Sequence, residues 1–307
     1  RIQIVNDEVD ETLVNTYFVD ALTDDVMNDL LAAGYNETQA FTLLYSGGLK
    51  IYSTQDPDIQ SICDEVFSNE ENYPENTRWQ LSYALTIKRS NGDFENFSTE
   101  KLQALYKRQN EDIEYYKQFV LGTDGEVYDE KITLTPQPQV SITIEDQHTG
   151  CIVAMVGGRG AKEGSKTLNR ATDTTRQPGS TFKIVAVYAP ALDSAGLTLA
   201  TMVNDAPFNY ANGRPVSNWW GSEYRGLNSI RQAIIDSMNV IAVKTFTAIT
   251  PQLGYDYLKN FGFTTVVDRE EITYGGNTYV YSDIQQSTAL GGLTHGVTNE
   301  ELNAAYA

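Results

Sequence analysis

Cysteine and histidine are scarce in this chain, and their scarcity removes several classes of site. The two cysteines in 307 residues, Cys63 and Cys151, are too few for a disulfide scaffold and lack metal-ligand spacing. We expect two separately buried thiols, with a bridge between them as the alternative. The two histidines, His148 and His295, leave little material for a Ser-His-Asp triad. The scarcity of histidine therefore favours a lysine as the catalytic base.

Long apolar runs and positive charge are also lacking. No run approaches the roughly 20 residues of a membrane span, and the net charge of −19 would repel the phosphates of nucleic acid, so we expect no nucleic-acid partner. The acidity is uneven, because residues 1–150 hold 28 acidic and 10 basic residues (−18) and residues 151–307 hold 13 and 12 (−1). The second half can accept an anionic substrate, whereas the first half is typical of a solvated support.

What the chain does have is a globular composition and a length sufficient for two or three domains. Hydrophobic residues make up 41% and aromatic residues 11% of the sequence, as in folded proteins. Alternation over 140–144 and an apolar run over 152–156 predict a hairpin of one half-exposed and one buried strand. A strand is also predicted over 49–54, loops over 204–207 and 218–221, and a turn-rich insertion or linker over the acidic stretch 121–138.

The chemistry concentrates around Ser180. The pair Pro178-Gly179 predicts a turn, and the apolar residues of 184–192 predict a buried helix that ends near Gly196. Ser180 then begins a helix, and Lys183 lies on the same face one turn later. A lysine whose pKa burial lowers from roughly 10.4 can take the proton of a serine nucleophile. The alternative is an ordinary N-cap serine and a surface lysine, but the apolar helix favours a buried Lys183.

A second pair of polar residues stands between two apolar helices, at Ser237-Met238-Asn239. Such a pair normally caps helix ends. Opposite a nucleophile, however, the hydroxyl can carry a proton to a leaving amine, and the amide can orient both the lysine and a substrate carbonyl.

Taken together, several motifs resemble the transpeptidase part of class A penicillin-binding proteins. These are Arg170-Ala171 through Arg176-Gln177-Pro178-Gly179-Ser180-Thr181-Phe182-Lys183, the triplet Ser237-Met238-Asn239, and Gly291-Gly292-Leu293-Thr294-His295-Gly296-Val297-Thr298. Residues 17–20 and 47–52 resemble the segment that joins the glycosyltransferase and transpeptidase domains of that family. The resemblance covers most of the chain and is weakest over about 70–137.

The resemblance implies an α/β (α+β) chain with the penicilloyl-serine transferase (β-lactamase/transpeptidase-like) fold. In this fold an antiparallel sheet is flanked by helices, and here a small linker region precedes it. The implied domains are a linker or pedestal over 1–84, an insertion or linker over 85–138, and a C-terminally incomplete transpeptidase domain over 139–307.

The resemblance also implies an activity. Ser180 would attack the D-Ala-D-Ala carbonyl of a peptidoglycan stem peptide, release the terminal D-Ala and pass the acyl group to an amine on a second stem, and β-lactams would acylate the same serine. Lys183 would be the base, Ser237 would relay protons, and Asn239 would orient Lys183 and the substrate amide. No metal or organic cofactor is implied. Substrate-binding positions are implied at Gly179, Trp219, Gly292 and Thr294.

One family motif is missing. The Lys-Thr-Gly or Lys-Ser-Gly strand is absent, since Lys166 and Lys244 are each followed by Thr and then by Leu168 and Phe246. We expect a C-terminal segment carrying this motif to be a separate polypeptide docked against the hairpin, whose inner strand would otherwise expose a ladder edge. A glycosyltransferase domain and a membrane anchor are expected upstream, which would place the parent protein at the extracytoplasmic face of a bacterial membrane.

Two other functions stay open. A D,D-carboxypeptidase or β-lactamase-type hydrolase shares Ser-x-x-Lys but passes the acyl group to water, and a non-catalytic penicillin-binding scaffold keeps only the fold. The acidic N-terminal half with its linker-like motifs favours the cross-linking enzyme. The ratio of acylation to deacylation rates distinguishes a hydrolase from a transpeptidase. Labelling with a fluorescent penicillin distinguishes a non-catalytic scaffold from an enzyme.

Overall fold

The computed structural model describes residues 14–75, 77–99, 101, 113–221 and 223–307. The chain forms two compact units, one built from the described residues up to Ser68 together with Ser141–Ala307, the other from Asn69–Val140. The boundary predicted after residue 84 falls inside a strand of the smaller unit. The division into functional domains stays a prediction.

The elements of the described residues are numbered in chain order. The helices are α1 (Tyr17–Ala32), α2 (Glu37–Ser46), α3 (Pro57–Ser68), α4 (Ile113–Leu121), α5 (Ala189–Asp193), α6 (Ile230–Ile235), α7 (Asn239–Ile249), α8 (Pro251–Asn260) and α9 (Asn299–Ala304). The strands are β1 (Trp79–Arg89), β2 (Phe94–Ser98), β3 (Gly125–Pro136), β4 (Ile142–Asp146), β5 (Cys151–Val156), β6 (Met202–Asp205), β7 (Gly226–Ser229), β8 (Glu270–Tyr274) and β9 (Asn277–Tyr281). Short 3₁₀ helices lie at Glu70–Asn72, Gly179–Thr181 and Gln286–Leu290, and a π-helical segment at Lys183–Tyr188.

The smaller unit contains a three-stranded antiparallel sheet in the order β2-β1-β3. The turn-rich character predicted over 121–138 is wrong, because β3 pairs with β1 from Gly125 to Pro136. The assignment of this stretch to an insertion or linker stays a prediction. Its acidic residues do not prevent the pairing. Glu130 accepts hydrogen bonds from the Lys117 ammonium at 2.7 Å and the Tyr83 hydroxyl at 2.9 Å, and these lower the pKa of its carboxyl group.

In the larger unit the predicted hairpin is confirmed, with β4 and β5 paired antiparallel from Ile142↔Val156 to Asp146↔Cys151. The strand predicted over 49–54 is wrong, because that segment forms no ladder. Instead it ends beside β5, where the Thr54 hydroxyl donates to the Ile152 carbonyl at 2.6 Å.

The second edge of β5 is covered, contrary to the expectation of an exposed ladder edge on the inner strand. The Asp56 N–H donates to the Val153 carbonyl at 2.9 Å, and the Gln60 amide exchanges two hydrogen bonds with the Met155 backbone. Among the described residues, β4 pairs with β5 alone. The edge left unpaired in this hairpin is therefore the outer edge of β4.

The main core of the larger unit lies between the helical segment that follows Ser180 and the helices α7 and α8. These elements approach closely at Gly254, where a Cβ atom would lie 2.1 Å from the Phe246 ring and 2.7 Å from the Ala186 carbonyl oxygen. Phe182 packs edge-on against Phe263 with ring centroids 5.1 Å apart. This packing fixes the backbone on both sides of Lys183.

The helix predicted after Ser180 is confirmed in extent, since 179–193 is helical with little interruption. Its first turns are 3₁₀ and π rather than α, and the Ala189 N–H bonds to the Ile184 carbonyl five residues earlier. Pro190 has no N–H, so it does not donate the regular bond to the Ala186 carbonyl. Short π segments are frequent at functional sites.

The two thiols are separate, as predicted. Cys63 is buried, but Cys151 at the start of β5 is only half-buried, and both are free. Burial raises the pKa of the Cys63 thiol. Of the helices described, none has both the length and the apolar character required to span a membrane.

Candidate active site

Lys183 is the buried cation of the site, with 2% of the residue exposed. Its ammonium donates to the Ser237 carbonyl at 2.7 Å, the Ser237 hydroxyl at 2.9 Å and the Asn239 Oδ1 at 2.6 Å. All three acceptors are uncharged. Desolvation by burial lowers the Lys183 pKa from 10.5 to about 8. The lysine can therefore lose its proton close to neutral pH, as a general base must.

Ser237 gives Lys183 two of its three acceptors because of its backbone conformation. It lies between α6 and α7 with φ +49°, in the left-handed region that few non-glycine residues adopt. Its N–H bonds back to the Ile234 carbonyl at 3.1 Å, while its own carbonyl and hydroxyl both point to the ammonium. A strained residue of this kind costs on the order of 1 kcal/mol and is typical of functional sites.

Ser180 lies in the 3₁₀ turn Gly179–Thr181 and is exposed. The Thr181 hydroxyl closes this turn by donating to the Pro178 carbonyl at 2.6 Å. Among the described residues, none forms a hydrogen bond with the Ser180 hydroxyl. An incoming substrate can therefore reach the hydroxyl, and Lys183 follows three positions later.

The loop that begins at Gly291 holds the turn in front of Ser180. A Cβ atom at position 291 would lie 2.4 Å from both the amide nitrogen and the carbonyl oxygen of Gly179, so only glycine permits this approach. The Gln177 side chain donates to the Leu293 carbonyl at 2.8 Å and accepts from the Leu293 N–H at 2.7 Å. Gly179, predicted as a substrate-binding position, is thus packed directly beneath this loop.

Thr294 and Gly292 lie in the same loop, but their polar groups are used within it. The N–H and hydroxyl of Thr294 both donate to the buried Asp283 carboxylate, at 2.7 and 2.8 Å. The Gly292 carbonyl accepts from the Ser287 hydroxyl at 3.0 Å. The substrate-binding roles of these two residues stay predictions, and their contacts stabilise the loop.

Trp219 is anchored to the residue that precedes Ser237 in the chain. Its side chain is 71% exposed, and its indole N–H donates to the Asp236 carbonyl at 2.9 Å. Trp220 packs edge-on against it with ring centroids 5.5 Å apart. A large exposed aromatic ring fixed beside Ser237 is suited to contact a substrate, although that role stays a prediction.

From the sequence, only loops are predicted at 204–207 and 218–221, and neither Asn218 nor Asp205 has a predicted role. Asn218 is buried, and its Oδ1 accepts from the backbone N–H groups of Asn239 at 2.9 Å and Val240 at 3.2 Å. Its Nδ2 donates to Asp205 at 2.9 Å. The residue types alone suggest hydrogen bonds to backbone, because Asn and Asp in turns often make them. The partner of Asn218 could not be predicted, since no local sequence spacing relates Asn218 to Asn239.

The structure therefore brings Lys183, Ser237 and Asn239 into direct contact, and holds Ser180 at the start of the same helical segment as Lys183. His295, by contrast, is exposed and pairs with Glu270 at 2.5 Å. A buried, low-pKa lysine three residues after an accessible serine is a serine-lysine arrangement able to form and break an acyl ester.

Comparisons with known proteins agree with this chemistry. The family model described as "Penicillin binding protein transpeptidase domain" matches residues 140–307. Penicillin-binding protein 1A of Clostridium tetani is 29% identical over 248 residues, 78% of this chain and 24% of the relative. That of Neisseria lactamica is 38% identical over 133 residues, 42% of this chain and 16% of the relative. The chain thus spans about a quarter or less of the length of these curated relatives.

Solved structures share the fold. The crystal structure of penicillin-binding protein 1A from Haemophilus influenzae superposes with a TM-score of 0.52 at 17% identity, covering 92% of this chain and 45% of that one. The penicillin-binding protein PonA1 from Mycobacterium tuberculosis gives a TM-score of 0.51 at 17% identity, with 90% and 53% covered. The fold predicted from the sequence is confirmed.

Proposed function

We propose, because the chain belongs to the penicillin-binding protein transpeptidase domain family, that it is the catalytic part of a peptidoglycan D,D-transpeptidase. The observation that carries the proposal is the Lys183 ammonium, buried against Ser237 and Asn239 with its pKa lowered to about 8. A structural lysine would gain nothing from such desolvation, whereas a base for Ser180 requires it.

In the acylation step, neutral Lys183 takes the proton of the Ser180 hydroxyl. The Ser180 Oγ bonds to the carbonyl carbon of the penultimate D-Ala, and the bond to the terminal D-Ala nitrogen breaks. Ser237, which accepts a hydrogen bond from Lys183 at 2.9 Å, passes the proton to the leaving amine. The Ser180 N–H at the start of the helical segment stabilises the developing oxyanion. A β-lactam amide would be opened by the same steps.

In the second step an amine of another stem peptide attacks the acyl ester. The new amide bond forms as the ester bond to Ser180 breaks, and the amine proton returns through Ser237 and Lys183 to the Ser180 oxygen. Asn239 holds Lys183 through its Oδ1 at 2.6 Å. The balance of charge over 151–307, −1 against −18 over 1–150, suits a substrate that carries a carboxylate.

We also propose that a segment carrying Lys-Thr-Gly completes the site by pairing with the outer edge of β4. One face of β4 is already occupied, because Thr143 donates to Asn299 at 2.8 Å and Glu145 accepts from Asn303 at 3.0 Å. Its outer edge suits a further antiparallel strand, which would supply a second oxyanion donor and a lysine for the substrate carboxylate. The protein would act at the extracytoplasmic face of the bacterial membrane.

The test is labelling of the intact protein with a fluorescent penicillin. Ser180→Ala should abolish the covalent label, because loss of a serine nucleophile costs on the order of 10⁶ in rate. Ser194→Ala, which changes an exposed serine just after α5, should label like the unmodified protein. An adduct that mass spectrometry places on another residue, or no adduct at all, would contradict the proposal.

A second assay separates cross-linking from hydrolysis. A D-Ala-D-Ala peptide is supplied with and without an amine acceptor, and the products are identified by mass spectrometry. A transpeptidase forms the new amide, whereas a carboxypeptidase releases D-Ala without it. Rapid release of the penicilloyl group into water would instead indicate a β-lactamase-type hydrolase.

A further inference from the structure

Helix α7 begins at the centre of the site without a cap of its own. The residue before it, Met238, makes no side-chain capping bond, and both Met238 and Val240 are fully buried. The first N–H groups of a helix need outside acceptors, and water is not available to buried ones. Asn218 supplies the acceptor, since its Oδ1 receives the N–H groups of both Asn239 and Val240.

Asn218 is in turn held by a buried carboxylate. Asp205 has 0% of its surface exposed, accepts the Asn218 Nδ2–H at 2.9 Å through Oδ1, and accepts the Arg225 N–H at 2.9 Å through Oδ2. Because Asp205 takes the Nδ2 side of the amide, the Oδ1 of Asn218 must face α7. The carboxylate thus determines which way the asparagine is turned.

We infer that Asn218 and Asp205 are positioning residues for the proposed acyl transfer, acting through Asn239 on Lys183. The inference rests on the function proposed above. The Asn239 Nδ2 donates to the Ser217 carbonyl at 2.9 Å, and its Oδ1 accepts from Lys183 at 2.6 Å. Segment 217–218 therefore fixes both the backbone and the side-chain orientation of Asn239. Without it, the acceptor that faces Lys183 would lose its fixed place.

The first experiment compares Asn218→Ala with Asn36→Ala in the intact protein. Asn36 caps α2 by accepting the Gln39 N–H at 2.9 Å, so its loss also removes a helix cap, but in another part of the same unit. The measured quantities are the acylation rate constant for a chromogenic penicillin per folded molecule and its pH profile. Asn218→Ala should lower the plateau rate, which is the acylation rate constant reached at high pH where Lys183 is neutral, by about 10–100-fold, as displacement of catalytic groups does. Asn36→Ala should leave the plateau rate unchanged.

The second experiment exchanges the two side chains in a double variant, Asp205→Asn with Asn218→Asp. The amide introduced at position 205 can accept from the Arg225 N–H and donate to the carboxylate introduced at position 218, which still accepts the two N–H groups of α7. Every hydrogen bond is kept. The double variant should recover the plateau rate, with the apparent pKa of the profile raised because a negative charge now lies nearer Lys183. Asn218→Asp alone sets two carboxylates side by side and should stay slow.

Hydrogen exchange provides a readout that does not depend on activity. The amides of Asn239 and Val240 should exchange faster in Asn218→Ala and return to slow exchange in the double variant. If the unmodified protein is acylated and Asn218→Ala reacts at the same rate, or if the double variant folds but stays slow, the inference is wrong. If the unmodified protein is not acylated, the proposed function fails, and unchanged exchange at these two amides would separately refute the positioning role.

Discussion

The titration of Lys183 gives the sharpest prediction. With a pKa of about 8, about one-tenth of the lysine is neutral at pH 7, against about 0.03% for an ordinary lysine. Burial therefore raises the concentration of the active base about 300-fold. Because the base must be neutral, the rate constant for acylation by a penicillin should rise about 50-fold from pH 6 to pH 8 and then level off.

The assay is rapid-mixing acylation of the intact protein between pH 6 and pH 10, corrected for spontaneous opening of the β-lactam. Lys183→Arg should stay folded but unreactive at every pH, because a guanidinium keeps its proton. Lys244→Arg is the matched control, since Lys244 lies in α7 and donates to the Asn204 carbonyl at 2.8 Å. It should keep the profile. A rate that is flat from pH 6 to pH 9, or that inflects near 10.5, would refute Lys183 as the base.

Three further predictions concern packing, substrate contact and stability. Gly291→Ala should slow acylation at least tenfold, because its Cβ would lie 2.4 Å from the Gly179 backbone. The control is Gly276→Ala, which changes a left-handed glycine that has open space around it. In urea unfolding, Gly291→Ala should lose about 1–3 kcal/mol more of its free energy of unfolding than the control loses. Trp219→Ala should slow acylation by a penicillin or a peptide. Its thermal unfolding midpoint should stay within a few degrees of that of the unmodified protein, because Trp219 is 71% exposed. An unchanged acylation rate would show that Trp219 does not contact the substrate. The free energy of unfolding of the unmodified protein, measured relative to that of Lys183→Arg, should increase as pH rises from about 8 to 10.5. In that window Lys183 is deprotonated in the folded state and still protonated in the unfolded chain. A decrease in this relative free energy between pH 8 and 10.5 would contradict the lowered pKa.

The sequence was sufficient where function depends on neighbours along the chain. Ser180 and Lys183 are three positions apart and Ser237 and Asn239 two apart, so the short spacing along the chain already keeps the members of each pair close together. The contact between the pairs spans 54 residues, from Lys183 to Ser237. It was reached through the family resemblance and is present in the structure.

The sequence was insufficient where structure depends on distant pairing. The acidic composition of 121–138 hid a strand, because β3 is stabilised by β1, whose residues lie more than thirty positions earlier. Asn218 caps a helix that begins 21 residues later, and no local rule marks such a cap. The substrate-binding role of Thr294 stays a prediction. The hydrogen bond from its hydroxyl to Asp283 could not be predicted, because the sequence did not indicate that Asp283 is buried.

The conformation of Ser237 explains how a buried ammonium is held without a carboxylate. A carboxylate partner would raise the lysine pKa and keep the base protonated at neutral pH. Two acceptors from one residue, its carbonyl and its hydroxyl, together with the Asn239 amide, satisfy all three N–H groups with neutral dipoles. Their hydrogen bonds stabilise the charged form of Lys183 inside the protein, while desolvation still lowers its pKa to about 8. The left-handed backbone at Ser237 is thus the local strain that lets Lys183 be both buried and titratable.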